Sequence, residues 1–311
     1  MFPFRQFPSS TPALIPNRPA MNYELYPWLQ HDFASTEAQR ALEEARSRYI
    51  ETGAVTFPNF ITQEALQEAV REARSKEDEA FTTDDVHTAY LKSRNSNFDE
   101  NSVYNYEMRT KVASTAYDEL STNSALKKLY QHPKLLQLVS FIVNKKPLFL
   151  SDDPLGCCSI NVFRPSYHHS FHFDESEFST TLMLQESEVP GTGLFQYTDP
   201  LRQSSDDLAL DSVARTIQAY ADIGSEHSFA EISTRNEEIP QYNSTAPSLH
   251  TLDFTPGTLL IFSGSRSLHR VTKVEGSQSR LVAVLTFATR PGFRNSAKVQ
   301  KLFWGRSSSE E

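Results

Sequence analysis

The sequence predicts an α+β, mainly β fold: a jelly roll of the double-stranded β-helix type with helices flanking its N-terminal side. Two patterns carry that prediction. Strong helix formers cluster before residue 145, whereas short apolar runs separated by Gly and Pro recur from 147 to 290. A His-x-Asp triplet and a later His also stand on or beside such runs, where two facing sheets can turn them into one interior.

Taken in order, the chain begins with Pro3, Pro8, Pro12, Pro16 and Pro19, which break any amphipathic transit helix, and a disordered tail is expected over 1–34. Residues 35–52 hold Glu37, Ala38, Ala41, Leu42 and Ala45 and predict a helix stopped at Gly53. A short strand over 54–57 ends at Pro58, and Thr62 caps a second helix over 63–76. Residues 75–105 are polar and turn-rich, which predicts a loop over one face. A helix over 124–143 is interrupted by Pro133. Strands follow at 148–150, 157–163, 171–174, 180–184, 193–197, 251–254, 258–262, 270–274 and 280–287. The acidic segment 199–248, with a helical patch at 208–220, reads as an insertion. One domain over 35–305 is expected, helical over 35–145 with its core over 147–290, and a disordered tail over 306–311.

Composition removes several classes of function. A net charge of −9 and a pI of 5.5 over 311 residues oppose nucleic-acid binding, which needs a basic surface. No apolar run reaches the length of a membrane span, so no membrane partner is expected. The only cysteines, Cys157 and Cys158, are neighbours, which fits a reducing, cytoplasmic compartment and no disulfide framework. Their spacing suits no zinc site.

The chemistry centres on His172 and Asp174. Two positions apart on an extended segment, they point to one side while Phe173 points to the other. A facial triad for Fe(II) needs a second His and leaves positions open for a bidentate co-substrate and O2. His269 is the candidate: it follows the apolar run 256–262, and Arg280 stands eleven residues beyond it on the next run. His250 competes for the third position but has no strand-borne Arg at that remove. Zinc with a bound water is the chemical rival, without the helical His-Glu motif that zinc enzymes often use. A planar, permanently charged Arg280 suits the far carboxylate of 2-oxoglutarate. The predicted catalytic and metal set is therefore His172, Asp174 and His269, with Arg280 binding the co-substrate.

The stretches Phe171-His172-Phe173-Asp174-Glu175-Ser176-Glu177-Phe178, Thr181-Leu182-Met183-Leu184-Gln185 and Phe262-Ser263-Gly264-Ser265-Arg266-Ser267-Leu268-His269 resemble Fe(II)/2-oxoglutarate-dependent oxygenases. The nearest group is the radical halogenases of free amino acids and their hydroxylase relatives, and the resemblance covers about 109–304. The halogenases carry Gly where Asp174 stands, so the resemblance implies oxygenation. Hydroxylation is the first expectation, with desaturation or aziridine-type cyclisation as variants, in specialised metabolism. It also implies a small-molecule amino acid partner whose carboxylate meets Arg109, His169 and Trp304, with Thr286 as a further contact. Val284 and Phe303 depart from the lysine-specific pattern and point to an apolar side chain, while Glu175, Asp152 and Asp153 remain possible partners of an amine. A peptide side-chain hydroxylase and a non-catalytic cupin-like binding module are the alternatives.

Overall fold

Two antiparallel sheets face each other in the computed structural model, which describes residues 20–31, 33–204, 206–220 and 245–308. The larger sheet begins with β1 (Ala54–Phe57) and contains β2 (Phe81–Thr88), β3 (Glu107–Thr115), β5 (Cys158–Phe163), β7 (Ser179–Gln185), β10 (Leu259–Phe262) and β12 (Arg280–Ala288). Its order is β1-β10-β7-β12-β5-β3-β2, and β4 (Phe149–Leu150) also pairs with β12. The smaller sheet runs β6 (His169–His172), β11 (His269–Val271), β8 (Phe195–Thr198) and β9 (Leu249–Thr251). This is the predicted jelly-roll type of core.

Alternation along the strands builds three apolar layers. Val112, Phe163, Met183, Leu260, Phe262 and Val282 of the large sheet meet Phe195, Tyr197 and Val271 of the small one between the sheets. The opposite face of the large sheet, with Ile160, Leu182, Leu259 and Leu285, packs under α1 (Thr36–Thr52), α2 (Gln63–Lys76), α3 (Ala125–Tyr130) and α4 (Pro133–Ile142). Each fully buried leucine there contributes roughly 1.5–3 kcal/mol. On the outer face of the small sheet, Phe171, Phe173 and Leu268 pack against Val213, Ala214 and Ile217 of α5 (Leu210–Tyr220).

The local signals act as expected. Ser35 accepts the Ala38 N–H at the start of α1, and Gly53 ends it with φ +76°, a left-handed conformation that costs glycine little. Thr62 caps α2, and Pro133 splits the predicted long helix into α3 and α4. Four expectations need correction. Residues 20–31 and 33–34 are not a loose tail: Met21 and Leu29 are fully buried, and Met21 bridges to Ile61. The predicted loop 75–105 contains β2, an edge strand whose exposed Asp84 and Asp85 and partly exposed Thr82 give it a loop-like composition. The stretch 35–145 is less helical than expected, because β2 and β3 join the large sheet beside the expected β1. A further helix, α6 (Ala297–Trp304), begins at the Ser296 cap and packs against β2 and β3. The tail expected over 306–311 is not loose at its start either, since Arg306 donates to Asp118 and Ser308 to Gln300; the expectations over 1–19, 221–244 and 309–311 lie outside the described residues.

Candidate metal centre

The register of the small sheet brings the first two ligands together. His172 on β6 lies directly opposite His269 on β11. Phe171 and Phe173 turn to the α5 side, so His172 and Asp174 enter the space between the sheets. Asp174 Oδ1 stands 3.6 Å from His172 Nε2 and 3.4 Å from His269 Nε2. Two ligands about 2.1 Å from one metal at right angles are about 3 Å apart, so an ion needs only a small closure of this set.

The remaining atoms of the three side chains are already engaged. His172 Nδ1 lies 2.8 Å from the Ser170 carbonyl and His269 Nδ1 lies 3.0 Å from the Ser267 carbonyl. A carbonyl only accepts, so each Nδ1 carries the proton and each Nε2 keeps its lone pair for a metal. Ser179 donates to Asp174 Oδ2 at 2.7 Å, which leaves Oδ1 as the ligand atom. Burial would raise the Asp174 pKa, but His269 and His172 hold it well below the usual carboxylate range. Burial, and then His269, push the His172 pKa down. A carboxylate between two imidazoles suits Fe(II), and three protein ligands exclude a closed four-ligand structural zinc site. Among the described residues, no other group of three His, Cys, Asp or Glu side chains has such spacing.

Beside this set lies a cavity of about 150 Å³. Arg280, Val282, Val284 and Thr286, the alternate residues of β12, form one wall. At about 3.4 Å per residue that row spans roughly 20 Å, with Arg280 at one end and Thr286 at the other. Arg280 is 2% exposed, its Nε has no hydrogen-bond partner, and its guanidinium lies over the Phe163 ring at 5.3 Å. Burial lowers its pKa to about 9. His169 Nε2 and Trp304 Nε1 are likewise buried at the cavity wall without partners, as is the Thr181 hydroxyl. Buried polar atoms are normally bonded, so these orphans mark where a polar ligand belongs.

The structure thus gathers His172, Asp174, His269, Arg280, His169, Glu175, Val284, Thr286 and Trp304 around one cavity. Arg109 is not among them. Thr110 and Val112 occupy the inward positions of β3, so Arg109 faces out and pairs with Asp84 at 2.8 Å. Glu175 lines the cavity, but its carboxylate caps α6 by accepting from Ser296 N and Oγ. Asp153 is buried and accepts from Leu155, Gly156, Asn295 and Gln300, so it serves the fold and not an amine; Asp152 is exposed. His250 is half-exposed and pairs with Asp199. Thr286 donates to the Gly156 carbonyl.

Sequence reasoning missed Ser179, Gly264, Leu91 and His87. A Cβ added at Gly264 would fall 1.9 Å from Asp174 Oδ2, so only glycine leaves the ligand its place. Leu91, at φ +54°, forms a strained turn at the cavity wall. His87 is buried behind the ligands, and burial lowers its pKa from 6.5 to about 4. The unfolded chain therefore takes up this proton first as pH falls. Stability is lost between pH 6.5 and about 4, by about 3 kcal/mol for this one group. In denaturant melts at a series of pH values, His87→Gln is expected to flatten that slope. A slope equal to the wild type's would show that His87 is not the group responsible.

No family model matches the sequence, and no curated protein matches it either. Among solved structures, the non-heme α-ketoglutarate-dependent epimerase SnoN from nogalamycin biosynthesis superposes with a TM-score of 0.51 at 16% identity, over 80% of this chain and 84% of that one. The same epimerase in complex with Fe3+, α-ketoglutarate and nogalamycin RO gives 0.52 at 14% identity, with the same coverage. The fold is that of the α-ketoglutarate-dependent non-heme iron enzymes. The carbocyclase SnoK, also from nogalamycin biosynthesis and also α-ketoglutarate-dependent, gives 0.51 at 14% identity over 79% and 83%. The likeness is one of fold, and the His172–Asp174–His269 set is a separate observation on this chain's own residues.

Proposed function

We propose that this chain is an Fe(II)- and 2-oxoglutarate-dependent oxygenase acting on a C–H bond of a free amino acid or a small amino-acid-derived molecule. The observation that carries this reading is one cavity holding a three-ligand set and orphaned donors on both Arg280 and the His169–Trp304 pair. Iron at His172, Asp174 and His269 supplies oxidative decarboxylation of the co-substrate and oxidation of the C–H bond. The residues of the chain bind, orient and shield. Arg280 takes the distal carboxylate of 2-oxoglutarate, which gives its buried, unpartnered Nε an acceptor. His169 and Trp304 donate to the carboxylate of the substrate. Val284 and Phe303 offer an apolar wall to its side chain, while α6 and Leu91 exclude water.

Arg109 plays no part in this reading, so the substrate carboxylate has one fewer cationic partner than the sequence suggested. Among the described residues, the one cavity-lining carboxylate besides Asp174 is Glu175, and it accepts from Ser296. An uncharged side chain on the substrate is therefore favoured over a basic one. Incubating the iron-loaded protein and 2-oxoglutarate with a mixture of proteinogenic amino acids, and separately with a peptide panel, tests this. The expected product is an aliphatic amino acid heavier by one oxygen or lighter by two hydrogens. Oxidation confined to peptides would contradict it.

A further inference from the structure

We infer that His87 and Thr110 are a positioning pair, which holds the bulged strand that carries both His172 and His169. Over the two steps of β11 from His269 to Val271, β6 takes three, from His172 back to His169. The extra residue is a β-bulge. In a regular strand, residues three apart point to opposite faces. Here the rings of His169 and His172 instead stack face to face in the cavity, 3.7 Å apart at 18°.

Ser170, between them, is held at three points. Its N–H donates to Thr110 Oγ1 at 3.1 Å, its hydroxyl donates to the Arg109 carbonyl, and its own carbonyl accepts the His172 Nδ1 proton. Thr110 is itself fixed by His87, whose Nε2 is 2.6 Å from Thr110 Oγ1. His87 Nδ1 faces the Thr88 carbonyl at 3.0 Å and must carry the proton, so Nε2 accepts from the Thr110 hydroxyl. Thr110 thus receives one bond from Ser170 and gives one to His87. Both residues are at most 3% exposed. The His87 ring also stands edge-on behind His169, at 5.6 Å and 86°, and behind His172, at 6.1 Å and 78°. The orientation of His172 Nε2 therefore passes through Ser170 and Thr110 to His87. A purely structural pair would only tie β2 to β3, and its loss would leave metal affinity unchanged in any folded variant.

The inference rests on the proposed function only for the identity of the metal, and its test uses Co(II) as a spectroscopic probe. Thr110→Val keeps the shape and removes the hydroxyl; Thr110→Ser keeps the hydroxyl. With folding checked by circular dichroism, Thr110→Val is expected to bind Co(II) about 10- to 100-fold more weakly, with a changed visible spectrum, the scale on which partners of metal ligands act. Thr110→Ser is expected to restore both. If Thr110→Val does not fold, His87→Asn takes its place with the same expectation. Wild-type affinity and an unchanged spectrum in the folded variant overturn the inference alone, provided that Co(II) binding still depends on Asp174. Wild-type protein that binds no Co(II) overturns this inference and the metal reading together.

Discussion

Asp174→Ala is expected to lose Fe(II) affinity by more than about 100-fold, beyond the range that partners of the ligands command. Turnover of 2-oxoglutarate should fall to background with it. Asp174 is the only anion in the set, and both histidines approach its Oδ1 within 3.6 Å. Removing it leaves two neutral imidazoles that form no facial triad. Gly264→Ala should give the same phenotype through a different cause. The new Cβ would overlap Asp174 Oδ2, and the nearest atoms belong to a ligand already fixed by Ser179 and by its own N–H bond to the Gly264 carbonyl. The carboxylate must leave its place, while His172 and His269 stay. Metal titration of the two variants checks both; wild-type affinity in Gly264→Ala would mean that Asp174 does not bind in the position described.

The second large effect concerns Arg280. A buried arginine whose Nε has no partner, its pKa lowered to about 9 by burial against the weaker opposing pull of Glu186, costs the folded state several kcal/mol. Since the folded form disfavours the charged group, that cost is present at neutral pH and fades only as pH rises past 9. The carboxylate of 2-oxoglutarate offsets it. At a hundredfold excess over Kd the co-substrate should stabilise the metal-loaded protein by about 2.7 kcal/mol, which raises Tm by roughly 5 °C. Arg280→Met should melt higher than wild type without ligand, lose that shift, and raise the KM for 2-oxoglutarate by about 100-fold or more. A full thermal shift in Arg280→Met would place the co-substrate elsewhere.

These effects also mark how far the sequence could be read. The triad was legible because its signals are local: alternation sends His172 and Asp174 one way and Phe173 the other, and Arg280 opens an apolar run. Arg109 was misplaced for a reason of the same kind. Its direction depends on the phase of β3, and neither β3 nor its partner β2 shows a clean alternation of apolar and polar residues. Trp304 and His169 reach the cavity, yet the elements that bring them there, the short helix α6 and the bulge at Ser170, leave little trace in hydrophobic pattern. Glu175 shows the limit most plainly. A carboxylate beside a metal ligand reads as a substrate contact, whereas its bonds to Ser296, 121 residues away, make it a helix cap. Contacts of that range are fixed by packing and have no sequence spacing to reveal them.

Protein loaded with Fe(II) without oxygen, given 2-oxoglutarate and then exposed to O2, should release succinate. Release should rise severalfold with a free amino acid and be absent in Asp174→Ala. Succinate formed equally by wild type and Asp174→Ala, or by neither, would contradict the central claim that His172, Asp174 and His269 hold a catalytic iron.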